Sequence, residues 1–238
     1  MQNDQFKGFD RDTLFLLSQN KFNDSKPYYE SVKEQLKQKA IVPMRQICSD
    51  VAEQLFEIDE QMNLIPTKMV SRIRRDTRFS KNKEMYRSNV WAMFMRDKHK
   101  FRTMPCMWFE YGEFGYDIGV GIFRADARFL DYYRKAFLED PKRMKAAIKS
   151  AESFGAFCDC DFYSREKEGT ELLPNELKPY YNVKSIYFIK NSSDFESLFN
   201  GSILEEIRRA IAAYEPFYKI ILEALEKSIA EKEYENND

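Results

Sequence analysis

Between Lys68 and Ile122 the spacing of apolar side chains changes, and that change limits the fold more than any other feature of the chain. Before it, Tyr29, Val32, Leu36 and Ala40 recur three or four residues apart, as one face of a helix requires. Within it, Met69, Ser71 and Ile73 alternate with Val70, Arg72 and Arg74, and β-rich runs follow at Val90 to Met95, Met104 to Tyr111 and Tyr116 to Phe123. Gly112 and Gly115 mark a turn between the last two runs, so these strands should form an antiparallel meander. Helical spacing then returns. Segregation of this kind predicts an α+β fold, with an antiparallel sheet of about four to six strands packed against several helices. Only 8 Gly and 8 Pro in 238 residues argue against an all-β architecture and against a linker-rich chain.

Local signals set the boundaries. Asp10 should cap a first helix that runs to about Asn20, with Phe9 stapled onto Leu14. Ser25 opens a second, and Pro43 sits where a new helix or a kink would begin. Ile47, Val51 and Leu55 continue a helical layer over about 10–59, which Asn63 and Pro66 end. The sheet-rich centre spans about 68–123. Helices over about 126–152 start at Asp126, with Phe129, Leu130, Tyr133 and Phe137 on one face, and at Asp140-Pro141, with Met144, Ala147, Ile148 and Ala151 on another. Residues 153–179 read as irregular and 185–189 as a last strand. Ser202 and Glu205 form a capping box for a carboxy-terminal helix over about 202–231, kinked at Pro216 and frayed after Glu231. No repeat or linker interrupts the pattern, which reads as a single α+β domain over 1–238.

Charge and rare residues remove whole classes of function. Lys and Arg number 38 against 39 Asp and Glu, a net charge of −1, so the chain is not an overall polycation. With 43% hydrophobic residues it can build a core and is not disordered as its main state. The single His99 excludes sites that need two histidines, such as poly-His zinc, facial-triad iron and bis-His haem. Residues 1–10 show neither a signal nor a transit pattern, and no apolar run approaches the roughly 18 residues of a membrane span. A soluble, cytoplasmic protein without a membrane partner is expected. Cys48, Cys106, Cys158 and Cys160 should then stay as reduced thiols.

One segment stands apart in charge. Residues 72–87 hold seven basic and two acidic residues, net +5 in a chain of net −1. Converging guanidinium groups repel unless an anion lies among them, so this concentration suggests an oxyanion site, a paired network or a solvated face. If Arg72 and Arg74 lie in a strand they share a face, and a turn after Asp76 could bring Arg78 and Lys81 back over them.

The run Arg72-Ile73-x-Arg75-Asp76-x-Arg78-Phe79-Ser80-x-x-Lys83-x-x-Tyr86 resembles the signature of the domain of unknown function 2461 family. Phe6-x-Gly8-Phe9, the spacing of Asn23 through Pro43, and Gly121 followed by Leu130-x-x-x-Arg134 also fit it. Two pieces depart from the usual pattern: Tyr28-Tyr29 stands for Trp-Phe, and Met85-Tyr86-Arg87 for Pro-Tyr-Lys. The resemblance covers nearly the whole chain and implies a one-domain α+β fold. It implies no activity, cofactor or catalytic residue.

In a ligand site built from this segment, Arg72, Arg75 and Arg78 would clamp an anion, Lys83 would neutralise developing charge, Tyr86 could donate a hydrogen bond or a proton, and Ser80 and Arg87 are further candidate ligand-binding residues. Asp76 is the carboxylate placed to act as a base, but neighbouring arginines should lower its pKa and suit it better to a structural counter-ion. Thr77 and Ser80 read as turn residues, since Ser80 has neither a partnered histidine nor a nucleophile elbow. His99 reads as a loop histidine between lysines. Cys158-x-Cys160 lacks the second pair of ligands a zinc site needs, so no metal is expected. No dinucleotide or P-loop motif occurs, and Gly119 and Gly121 suggest a bulge or a close backbone approach. Trp91, Phe94, Trp108, Phe109 and Tyr111 fit a sheet core, with a cleft wall as the alternative for some of them. Widening the basic window to 64–104 gives twelve basic and three acidic residues beside Phe79, Tyr86 and Trp91, so nucleic acid competes as a partner. The acidic remainder favours a small phosphate- or carboxylate-bearing ligand. A non-enzymatic docking face and a structural Arg network remain the alternatives, and the sequence leaves turnover and cofactors open.

Overall fold

A computed structural model describes residues 5–97, 104–123 and 125–235. His99 lies outside the described residues. The chain has an α+β fold, and among the described residues an open antiparallel sheet has five strands: β1 (Asn89–Phe94), β2 (Cys106–Gly112), β3 (Gly115–Ile122), β4 (Phe157–Cys158) and β5 (Ile186–Ser192). Their order is β1-β2-β3-β5-β4, so the last two strands enter in reverse and the two-residue β4 forms an edge. Two compact units are present. One comprises the chain up to Phe94 with Trp108–Ile118 and Asn191–Arg208; the other comprises Met95–Met107, Gly119–Lys190 and the chain from Arg209.

The first unit begins with α1 (Asp12–Asn23), three residues longer than its apolar pattern predicts. Asp10 does bond into its first turn, taking the Asp12 N–H at 2.9 Å, but Phe9 packs on Phe6 and on the Tyr111 ring, 4.1 Å away between centroids. Ser25 caps α2 (Lys26–Leu36) through the Tyr28 N–H. At Pro43 the helix neither stops nor simply kinks: it widens into a π-helical turn over Lys37–Ile41 before α3 (Val42–Asp50). Proline offers no N–H to the carbonyl four residues earlier, which is that of Lys39. The buried Thr13 hydroxyl donates to that carbonyl at 3.1 Å, so α1 supplies the bond the proline withholds. After α4 (Ala52–Ile58) and the short α5 (Pro66–Met69), the expected strand near residues 69–74 proves to be two isolated antiparallel bridges, Val70 to Ala92 and Arg74 to Tyr86.

In the second unit, Asp126 caps α6 (Ala127–Glu139) and Asp140 caps α7 (Pro141–Ser153), each bonding the N–H three residues on. Their buried residues are the eight that the helical spacing picks out. Gly121 belongs to a close approach within the sheet: a Cβ there would lie 2.1 Å from the Ile186 carbonyl oxygen. The region after Ser153 holds more structure than its composition suggests, namely β4, a 3₁₀ turn at Thr170–Leu172 and α8 (Lys178–Tyr181).

Towards the carboxy terminus, α9 (Phe195–Asn200) was not legible as a helix, and the capping box is replaced. Asn200 Oδ1 takes the Ser202 N–H, while Glu205 turns to Arg208. The final helix α10 (Ile203–Glu235) runs through Pro216 and past Glu231 to Glu235. Near that proline, the Ser150 hydroxyl bonds the Ala213 carbonyl at 2.8 Å.

Candidate functional site

The basic motif folds as a loop on a two-stranded stem. Besides the Arg74–Tyr86 bridge, Arg75 N–H donates to the Met85 carbonyl at 2.8 Å and Arg87 N–H to the Ile73 carbonyl at 3.0 Å. Its anchor is Asp24, whose backbone turns left-handed (φ 39°) just after α1. Asp24 Oδ1 takes the Met85 N–H at 2.7 Å and the Tyr86 N–H at 3.1 Å. Tyr86 itself is buried, with its ring stacked 4.7 Å from that of Tyr29. Burial pushes its phenol up, and its hydroxyl has no hydrogen-bond partner among the described residues.

Beyond the stem the tip pairs with itself. Asp76 accepts from the Arg78 backbone N–H, from Nε at 2.9 Å and from Nη2 at 2.6 Å. These bonds hold the Asp76 carboxyl down to about 2. Arg78 therefore turns to Asp76 rather than back over Arg72 and Arg74. Lys83 Nζ donates to the Thr77 carbonyl at 3.0 Å, and the Ser80 N–H lies 3.3 Å from the same oxygen. Arg72 is exposed, and Phe79 stands 96% exposed at the outer end.

Three of the eight candidate residues, Arg75, Tyr86 and Arg87, line a cavity of about 810 Å³ in the first unit; Arg72, Asp76, Arg78, Ser80 and Lys83 do not. Arg75 Nη1 reaches Glu84 Oε2 at 3.3 Å. The Arg87 guanidinium donates to the Arg72 carbonyl at 3.0 Å and the Arg74 carbonyl at 3.3 Å, and lies 4.7 Å from the Trp91 ring centroid. Burial and then the like charge of Arg75 lower its pKa, with Glu110 opposing.

Opposite the arginines stand residues that the sequence reading missed. Glu113 and Phe114 form the two-residue turn between β2 and β3, so counting back from it sets Glu110 across from Asp117 on one face. Burial raises the Asp117 carboxyl. Glu110 is raised chiefly by burial and further by Asp117, although Asn89 Nδ2 donates to its Oε1 at 2.5 Å. Glu113 sits at the rim, bonded by Ser88 and Lys21. The signal was present: each acid interrupts an otherwise apolar strand, and the Gly112–Gly115 spacing fixes the pairing.

Gly115 (φ 125°) permits that turn to lie against β5, since a Cβ there would fall 2.0 Å from the Ser192 carbonyl oxygen. Trp108, Phe109 and Tyr111 are buried, as a sheet core requires. Among the described residues no group of three or more His, Cys, Asp and Glu side chains is placed to hold a metal ion, and no helix is long and apolar enough to cross a membrane.

Residues 12–219 match the family described as conserved hypothetical protein (DUF2461). The chain belongs to that family. Its motif thus has two parts here, a self-paired tip and a stem that walls a cavity. No curated protein and no solved structure matches the chain.

Proposed function

We propose that the first unit binds a small phosphate- or carboxylate-bearing ligand in the cavity walled by Arg75 and Arg87. The carrying observation is the state of Arg87: it is partly desolvated, it faces the like charge of Arg75, and its bonds go to backbone carbonyls rather than to a carboxylate. An anion between the two guanidinium groups relieves that repulsion and supplies the charge-assisted bonds they are shaped to make. Glu110 and Asp117 at the other side favour a ligand whose remaining groups are hydroxyls or amines rather than further anionic groups. Thermal unfolding against inorganic phosphate, sugar phosphates, nucleotides and dicarboxylates tests this. A saturable rise in Tm with one small anion, lost in Arg87→Leu and kept in Arg78→Ala, supports the reading; no shift with any anion, or a shift that survives Arg87→Leu, refutes it.

The exposed tip favours a second reading. Phe79 projects into solvent with the Arg78 guanidinium 5.8 Å from its ring, a pairing that suits base stacking beside phosphate contacts. Binding of a short oligonucleotide at two salt concentrations, with Phe79→Ala as control, decides it. Salt-dependent binding weakened by that substitution supports nucleic-acid docking, and absence of binding at low salt removes it.

A further inference from the structure

The charges that wall the first unit's cavity do not all find partners within it. Lys21 Nζ reaches Glu113 Oε1 at 3.3 Å, and Arg75 Nη1 reaches Glu84 Oε2 at the same distance. These pairs leave Arg87, Glu110 and Asp117 as the remaining charged residues of the lining. One guanidinium therefore stands against two carboxylates.

The three are not equally provided for. Arg87 donates to backbone carbonyls, and Glu110 Oε1 accepts from Asn89 Nδ2. Asp117 is half-buried, yet among the described residues it has neither a hydrogen bond nor an ion pair. A carboxylate drawn part-way out of water loses hydration, and here no protein group replaces it. The two-residue turn at Glu113 and Phe114 sets Asp117 across from Glu110, with Cβ atoms about 4.5–5.5 Å apart. Burial raises both carboxyls and Asp117 raises Glu110 further, so each gains from a nearby cation.

An anion on entry makes this imbalance worse. Arg87 is the one positive charge in the lining left to offset Glu110 and Asp117, and an anion bound to Arg87 takes it from them. Two facing carboxylates then share a partly desolvated wall without a counter-charge, which a hydroxyl cannot supply. A cationic group on the same ligand does supply it. A primary ammonium has three N–H donors and fits between two carboxylates, whereas no third His, Cys, Asp or Glu among the described residues joins the pair to hold a metal ion.

We propose that the ligand is a primary amine carrying a phosphate or a carboxylate, with its anionic end on Arg87 and its ammonium between Glu110 and Asp117. This rests on the anion reading of Arg87 and narrows it, since inorganic phosphate, a sugar phosphate or a dicarboxylate makes the first contact and not the second.

Isothermal titration of the folded wild type with matched compounds tests the proposal: phosphoethanolamine against ethyl phosphate, and γ-aminobutyrate against butyrate, each pair differing only in the amine. In the pair whose anionic group suits Arg87, the amine should bind about tenfold tighter, and the two pairs show whether that group is phosphate or carboxylate. Asp117→Asn removes charge without volume and breaks no bond, and in it the two members should bind alike. Arg87→Leu should weaken both. Equal binding of the two members by the wild type, lost in Arg87→Leu, overturns the amine and leaves the anion reading standing, as does an amine preference that survives Asp117→Asn. Binding by neither pair, or binding that survives Arg87→Leu, overturns both readings. Ethylamine binding as tightly as phosphoethanolamine also overturns the proposal, and so does Mg²⁺ that lifts ethyl phosphate to the same affinity, which would give the two carboxylates to a metal ion.

Discussion

The tip and the stem of the basic motif share one stretch of sequence and behave as opposites. At the tip, Arg78 has satisfied its charge on Asp76 in full solvent, and Lys83 has turned to a backbone carbonyl. At the stem, Arg87 is partly desolvated, stacked on Trp91 and confronted by Arg75, with Glu110 as its opposing charge. Density of positive charge is therefore a poor guide to where a cavity opens. What separates Arg78 from Arg87 is whether the guanidinium has found a carboxylate and how far water reaches it; Arg75 lies between them, with Glu84 Oε2 3.3 Å away.

The comparison breaks most sharply at Tyr86, which fastens the stem. Tyr86→Ala should destabilise the fold by about 3–5 kcal/mol in denaturant unfolding, the scale for removing a buried aromatic ring. Tyr86→Phe should cost nothing measurable, because the hydroxyl it removes has no partner among the described residues. A large loss in the phenylalanine variant would mean the hydroxyl is bonded after all.

Arg87→Leu comes next, with an expected cost of about 1–3 kcal/mol from the two charge-assisted bonds to carbonyls. The same denaturation series should show Arg75 tolerating its neighbour's loss, since their charges repel.

Smaller effects follow at the carboxylates. Glu110 is raised in the folded state, so the native protein binds the extra proton between the ordinary carboxylate value and the folded one. Stability should fall as pH rises through that window, and Glu110→Gln should flatten the fall. Asp117→Asn should lower the Glu110 titration midpoint in carbon-detected NMR, because it removes one cause of the shift; an unmoved midpoint would break the proposed facing of the two acids.

The smallest effect belongs to the tip. Asp76 is depressed to about 2, so its contribution is present above the ordinary aspartate value and disappears as pH falls through about 2. Being exposed, it contributes little, and Asp76→Asn should lower Tm only slightly at neutral pH. In Arg78→Ala the Asp76 midpoint should climb towards that of a free aspartate, and a midpoint that stays near 2 would show that Arg78 is not its cause.

Much of this fold follows from local rules. The four-residue stripes of α6 and α7, the caps at Ser25, Asp126 and Asp140, and the turn between Gly112 and Gly115 each depend on residues close in sequence, so the chain by itself determined them. The motif was equally legible as a concentration of charge. What sequence could not decide was partnership across distance. Asp24 reaches the stem from 61 residues away, and Thr13 repairs the break at Pro43 from another helix. The side of the motif on which a cavity opens likewise depends on which strands meet and where. Periodicity fixes which face a side chain occupies, but only the packed chain fixes what that face meets and how much water is left there.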